Sequence, residues 1–136
     1  MTIRFIPLTP EETRKWHPQY VRDDITCFEI LKNQTSVGLY GLIDRGIDQI
    51  TKAYQAEAFL TIFPAFRYRT LSKGFFLGLF DHAFDSGFEA VYTWTRLSSW
   101  QKVLGRFTNL GIHRLETPPP WDPELTKIWF VKEKKK

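Results

Sequence analysis

The spacing of apolar positions changes from segment to segment along the chain, and each change marks the passage from one kind of element to another. Thr2–Leu8 is short and rich in β-branched and apolar residues, the pattern of a strand. Thr9-Pro10-Glu11-Glu12 follows as a capping box, with proline at the first helical position, where its missing N–H costs nothing. The helix so started ends at Trp16, because Pro18 disfavours the α conformation at His17, and the chain to about Asp24 reads as short or bent. Phe28–Lys32, Val37–Ile43 and Ala56–Phe63 read as three strands, the first two joined by the turn residues Asn33 and Gln34, and they suit an antiparallel meander. Gly46–Ala53 is polar and reads as a loop or irregular arm.

The strongest periodic signal is Thr70–Ser86, where Leu71, Phe75, Phe76, Leu79, Phe80, Ala83 and Phe84 make one wide apolar face of a helix that Ser86-Gly87 ends. Ala90–Arg96 alternates as a strand, so Ala56 to Arg96 forms a strand–helix–strand crossover, the connection that produces parallel pairing. Ser98-Ser99-Trp100-Gln101 is a second capping box, opening a helix with Trp100, Val103, Leu104 and Phe107 on one side and Gly111 as its stop. Ile112–Glu116 and Thr126–Lys132 are the last strands, joined through Pro118-Pro119-Pro120-Trp121. The predicted order is β-α-β-β-β-α-β-α-β-β. Gly74 and Gly78 each cost the long helix about 1 kcal/mol relative to alanine, which predicts a close neighbour that repays the loss.

Length and composition narrow this to one globular body. A chain of 136 residues with 43% hydrophobic and 16% aromatic residues buries a sizeable core and is neither disordered nor of low complexity. One domain is expected over 1–131. Cys27 is alone, which excludes an internal disulfide and a cysteine-based zinc site and fits a reducing compartment. No metal site is expected. The N-terminal residues lack the apolar run of a signal peptide and no stretch matches a membrane span, so the expected location is the cytoplasm. The formal net charge is +4, but Lys132-Glu133-Lys134-Lys135-Lys136 holds four lysines and one glutamate, so the body through Val131 nets only +1. Residues 132–136 therefore read as a solvated basic tail, and nucleic acid is the least supported class of partner.

The chemically informative place is the junction between the strand ending at Phe63 and the helix beginning near Thr70. A helix N-terminus offers unpaired N–H groups and the positive end of the macrodipole, and Arg67, Arg69 and Lys73 stand around this one with the hydroxyls of Thr70 and Ser72. That combination seats a phosphate; the plainer reading is a capped helix start with solvated cations. Asp81-His82 is no acid–base pair, since adjacent helical residues diverge by about 100°. No Gly-x-Ser-x-Gly, His-Glu-x-x-His or Gly-Lys-Ser/Thr motif is present, which argues against the common hydrolase, zincin and P-loop chemistries.

These residues carry a resemblance. From Ala56 to Ile112 the chain resembles the GNAT superfamily of N-acetyltransferases. Ile62-Phe63-Pro64-Ala65-Phe66 is similar to that family's Val-x-Pro-x-Tyr-Arg entry, and Arg67-Tyr68-Arg69-Thr70-Leu71-Ser72 stands where its Gln/Arg-x-x-Gly-x-Gly/Ala phosphate loop would. Phe107-Thr108-Asn109-Leu110-Gly111-Ile112 is similar to its Tyr-x-x-x-Gly-Phe ending, with Phe107 at the usual general-acid tyrosine and Trp100 where an asparagine is common. The resemblance implies an α/β acyl-CoA N-acyltransferase fold, a mixed, mostly antiparallel sheet with helices on both faces. It implies acetyl-CoA as acyl donor, held by Arg67, Tyr68, Arg69, Thr70, Leu71, Ser72 and Lys73. Strand Phe59–Phe63, Phe63 included, would offer N–H groups to the thioester oxygen. Ala56-Glu57-Ala58 resembles the Ala-Glu-Ile of members in which the glutamate deprotonates the amine, which implies Glu57 as general base, set among apolar neighbours such as Phe59 and Leu60. The acceptor, a small-molecule or protein amine, would lie against Pro10–Asp24 and Thr117–Thr126. The loop residues Thr70 and Ser72 in place of glycine, with Phe107, also fit a second reading: a catalytically lapsed domain of this fold acting in an oligomer or larger assembly, such as a bacteriophage internal virion protein in a host cytoplasm or virion.

Overall fold

The computed structural model describes residues 2–66, 70, 72–95, 111–122 and 127–134. Strands β1 (Ile3–Pro7), β2 (Ile25–Lys32), β3 (Thr35–Ile47), β4 (Tyr54–Ile62), β5 (Ala90–Thr95), β6 (Ile112–Arg114) and β7 (Ile128–Glu133) form a sheet in the order β1-β2-β3-β4-β5-β7-β6. Helices α1 (Pro10–Trp16) and α2 (Lys73–Asp85) lie between β1 and β2 and between β4 and β5 in the chain. The sheet is mixed as expected: β1 with β2, β2 with β3, β5 with β7 and β6 with β7 pair antiparallel, and β4 with β5 pair parallel. The helix predicted after Ser98, with Trp100 and Phe107, falls outside the described residues. The chain gathers into two compact units, Met1–Asp44 with Ala58–His82 and Arg45–Glu57 with Ala83–Lys136.

In the first unit the capping box is complete: the Glu12 N–H donates to Thr9 Oγ1 at 3.2 Å and the Thr9 N–H to Glu12 Oε1 at 3.1 Å. Those bonds hold the Glu12 carboxyl below the usual carboxylate range. His17 turns extended, as Pro18 requires, and a single 3₁₀ turn, Pro18–Tyr20, follows. β2 and β3 are longer than their apolar runs, because each completes the other's ladder: Ile25 pairs with Ile43, Cys27 with Gly41, and Asp44 donates its N–H to the Asp24 carbonyl. Every residue of Val37–Ile43 is buried, so both faces of β3 are covered. Its glycines are required by contact. A Cβ on Gly38 would stand 2.1 Å from the Thr61 carbonyl oxygen, and one on Gly41 would stand 2.1 Å from the ring of Phe59. The core centres on Tyr40, stacked on Phe28 at 4.9 Å and met edge-on by Phe5 at 5.0 Å, with its hydroxyl hydrogen-bonded to His82 Nδ1. Burial drives the Tyr40 phenol far above its ordinary value. Cys27, 2% exposed, packs beside Thr13, and burial pushes its thiol up.

α2 starts at Lys73, three residues later than its apolar face suggested. Ser72 is the physical reason, since its Oγ accepts the N–H of Phe75 at 3.2 Å and so caps the first turn. Gly87, with φ +108, follows the other end. The close neighbour expected at Gly74 and Gly78 is not found: a Cβ on either would meet nothing within 4 Å among the described residues.

In the second unit β5 pairs with β4 through Gln55–Ala90, Ala56–Val91 and Glu57–Tyr92, and with β7 along its whole length. β6 stops at Arg114 rather than Glu116, and β7 starts at Ile128. The solvated tail does not begin at Lys132, contrary to the sequence reading. Lys132 is 7% exposed and pairs with both Val91 and Ile112, Glu133 pairs with Ala90, and the Lys134 N–H donates to the Glu89 carbonyl. Ladder pairing on two sides outweighs the lysine's preference for water, which its long stem eases.

Deleting residues 132–136 removes those rungs, and the midpoint of thermal unfolding should fall by roughly 5 °C or more. Gly74→Ala and Gly78→Ala, which fill space that none of the described residues occupies, should each stabilise the protein by about 1 kcal/mol in a denaturant titration.

Candidate functional site

The sequence-predicted residues fall in two places. The first is the path from β4 into α2. Phe63 follows the last residue of β4, and its N–H donates to the Val37 carbonyl at 2.9 Å. That N–H is committed and cannot serve a thioester oxygen, which corrects the expectation for Phe63. Its ring, 37% exposed, stacks on Trp16 at 5.4 Å with the planes 6° apart. Pro64–Phe66 makes one 3₁₀ turn; Arg67, Tyr68, Arg69 and Leu71 lie outside the described residues. Thr70 is fully buried, and its hydroxyl has no hydrogen-bond partner among the described residues. Ser72 spends its hydroxyl on the cap, and Lys73 is exposed at the first helical position. The two residues at the glycine positions of the hexad thus turn their side chains inward or onto the helix. The hexad ends where α2 begins, so a helix of 13 residues presents its N-terminal N–H groups directly after it.

The second place is Glu57, on the last β4–β5 rung, opposite Tyr92. It is buried, as a working carboxylate would be, at 6% exposure, but the apolar setting expected from Phe59 and Leu60 is replaced by donors. Oε1 accepts from Arg45 Nε at 3.1 Å and Nη2 at 2.6 Å, and Oε2 accepts from Trp94 Nε1 at 3.0 Å. A charge is buried only when paired in this way. A second tier supports the first. The Arg45 guanidinium lies 5.5 Å from the centre of the Trp121 ring, and Lys127 Nζ lies 4.5 Å from that of Trp94. Lys127 is also 3.8 Å from Asp122, whose other oxygen accepts from Trp129 Nε1 at 2.7 Å. Trp121 Nε1 is buried without a partner among the described residues. Tyr92, edge-on to Trp121, has its phenol pushed up by burial and by Asp48 and Glu133.

Arg45, Trp94, Trp121 and Lys127 did not stand out in the sequence. Arg45 lay past the apparent end of its strand at Ile43, and Trp94 reads equally as core. The signal was the alternation Ile43, Arg45, Ile47, which continues β3 for four residues. Arg114, Glu116, Thr117, Lys127 and Trp129 line a groove of about 170 Å³ between the start of β7 and the segment after β6, which includes part of the predicted acceptor region. Among the described residues no group of three metal-ligating side chains occurs, and no helix is long and apolar enough to cross a membrane.

No family model matches the sequence, and no curated protein matches it. Solved structures do. The spermidine/spermine N-acetyltransferase SpeG from Vibrio cholerae aligns over 97% of this chain and 95% of its own at a TM-score of 0.67, with 12% identity. The N-acetyltransferase PseH from Campylobacter jejuni, in complex with acetyl coenzyme A, aligns over 98% and 100% at 0.62 with 11% identity. An acetyltransferase from Thermus thermophilus aligns over 98% and 97% at 0.63 with 17% identity. At such identities the likeness is one of backbone. The chain has the GNAT acyl-CoA N-acyltransferase fold, the one implied by the resemblance of its motifs.

Proposed function

We propose that the protein is an acetyl-CoA-dependent N-acetyltransferase acting on an amine. The observation that carries the reading is the start of α2. The hexad 67–72 ends on the helix cap itself, and neither Thr70 nor Ser72 turns its side chain out where the fold's glycines would leave room. The residues therefore fit a pyrophosphate. Arg67, Arg69 and Lys73 would neutralise it, the backbone of Tyr68, Thr70 and Leu71 would donate to it, Ser72, whose N–H is taken by the Thr70 carbonyl, would serve as the helix cap beside it, and Phe63 would contribute its half-open ring rather than its N–H. Acetyl-CoA supplies the acyl group as a thioester. Glu57 takes the proton of the attacking amine, directly or through one water, and solvent protonates the departing thiolate because Phe107 has no proton to give. A slow enzyme is the consequence.

Calorimetry tests the donor. Acetyl-CoA should bind the parent protein, and Arg67→Ala should weaken binding about tenfold or more, the loss of one charge-assisted contact. Absence of binding by the parent would return the protein to the lapsed, structural reading.

Thr70→Val removes a buried hydroxyl without a partner, so it should stabilise the free protein, by up to about 1–3 kcal/mol, and leave the affinity for acetyl-CoA within twofold. A large loss of affinity would mean that the hydroxyl serves the phosphate. Thiol release from acetyl-CoA, followed over a panel of amines that includes spermidine, should be seen with the parent and lost in Glu57→Gln.

A further inference from the structure

We infer that Arg45 and Trp94 are positioning residues that leave the Glu57 carboxylate one open acceptor site, on Oε2, and that the amine's proton is taken there. The inference rests on Glu57 being the base.

A carboxylate has about four lone-pair sites, two on each oxygen. Arg45 fills both sites on Oε1 with Nε and Nη2, and Trp94 fills one on Oε2. One site remains. The side chain is only 8% exposed. Both donors are themselves held: Arg45, on β3, lies over Trp121, and Trp94, on β5, lies under the ammonium of Lys127, which Asp122 holds. Tyr92 stands opposite Glu57 on β5. The step then balances simply. The amine nitrogen bonds to the acetyl carbon as its N–H bond breaks, the proton passes to Oε2, the carbon–sulfur bond breaks, and Oε2 later returns its proton to solvent. Oε1, saturated by the guanidinium, takes no part.

The first measurement needs no turnover. With the carboxyl carbons of glutamate labelled with carbon-13, the Glu57 carboxyl shift, read at one pH, reports the donors on its oxygens and should change in both Trp94→Phe and Arg45→Gln. Arg45→Lys, which keeps the charge but offers one point of contact, should move it less and guards against a variant that fails to fold. The second measurement is a stability cycle. In Glu57→Gln the amide oxygen can face Arg45, but its NH₂ then meets the Trp94 N–H, donor against donor. Trp94→Phe should therefore lower the melting temperature of the parent yet raise that of Glu57→Gln. The third is the rate: Trp94→Phe should keep KM within about twofold while kcat falls about tenfold, because what is lost is the placement of the base and not the binding of substrate. An unmoved carboxyl shift, or a cycle without the change of sign, would overturn the inference while leaving Glu57 free to be the base. A moved carboxyl shift and a reversed cycle with full turnover in Glu57→Gln would keep the clamp and remove the base, a failure of the functional reading alone.

Discussion

One buried carboxylate organises the second unit. Glu57 sits on the last rung of a parallel ladder at 6% exposure, and a charge so placed must be met by donors or it would neutralise itself or unfold its surroundings. Arg45 and Trp94 meet it, and the requirement then passes outward. The guanidinium rests on Trp121, the indole lies under Lys127, the ammonium faces Asp122, and Asp122 holds Trp129. The far end of β3, the middle of β4, β5 and the start of β7 are tied by these polar contacts. Such a network adds little net stability over apolar packing of the same volume, but losing one partner leaves an uncompensated charge and costs about 3–5 kcal/mol. Its yield is specificity of arrangement, which chemistry needs more than stability.

The first unit solves a different problem. β3 is buried on both faces along Val37–Ile43, and glycine at 38 and 41 lets the Thr61 carbonyl and the Phe59 ring approach it closely. The same unit delivers the start of α2, where Ser72 ends the hexad and begins the helix with one hydrogen bond. The proposed phosphate seat is thus a by-product of ordinary helix capping, with cations placed around it by the sequence.

Most of the architecture was legible from the residues, and the reasons are local. Thr9 and Glu12 specify α1 between them, Pro18 ends it, and the helix between two apolar strands requires β4 and β5 to run parallel. Boundaries were less legible wherever a partner strand decides them. Nothing in Ile25-Thr26-Cys27 announces a strand until Ile43-Leu42-Gly41 stand opposite, and nothing in Lys132-Glu133 does until Val91 and Ala90 are beside them. The candidate site divides in the same way. The hexad is contiguous and could be read along the chain, whereas the partners of Glu57 come from 12 and 37 residues away, a separation that no local pattern encodes. Gly74 and Gly78 show the limit of an energetic argument: the cost to the helix is real, but the described residues supply no contact that repays it.

The placement of one sulfur has a practical consequence for watching the two units separately. Cys27 is the sole cysteine, lies in the centre of the first unit beside Thr13, and holds its thiol in a state that reacts poorly with electrophiles. Alkylation of the folded protein therefore waits for the first unit to open, and its rate counts those openings. Trp94, Trp121 and Trp129 gather in the second unit, so much of the indole emission comes from there. A thiol reagent and a fluorimeter, applied to the same unlabelled sample, give each half its own clock and show whether the halves come apart together or in turn.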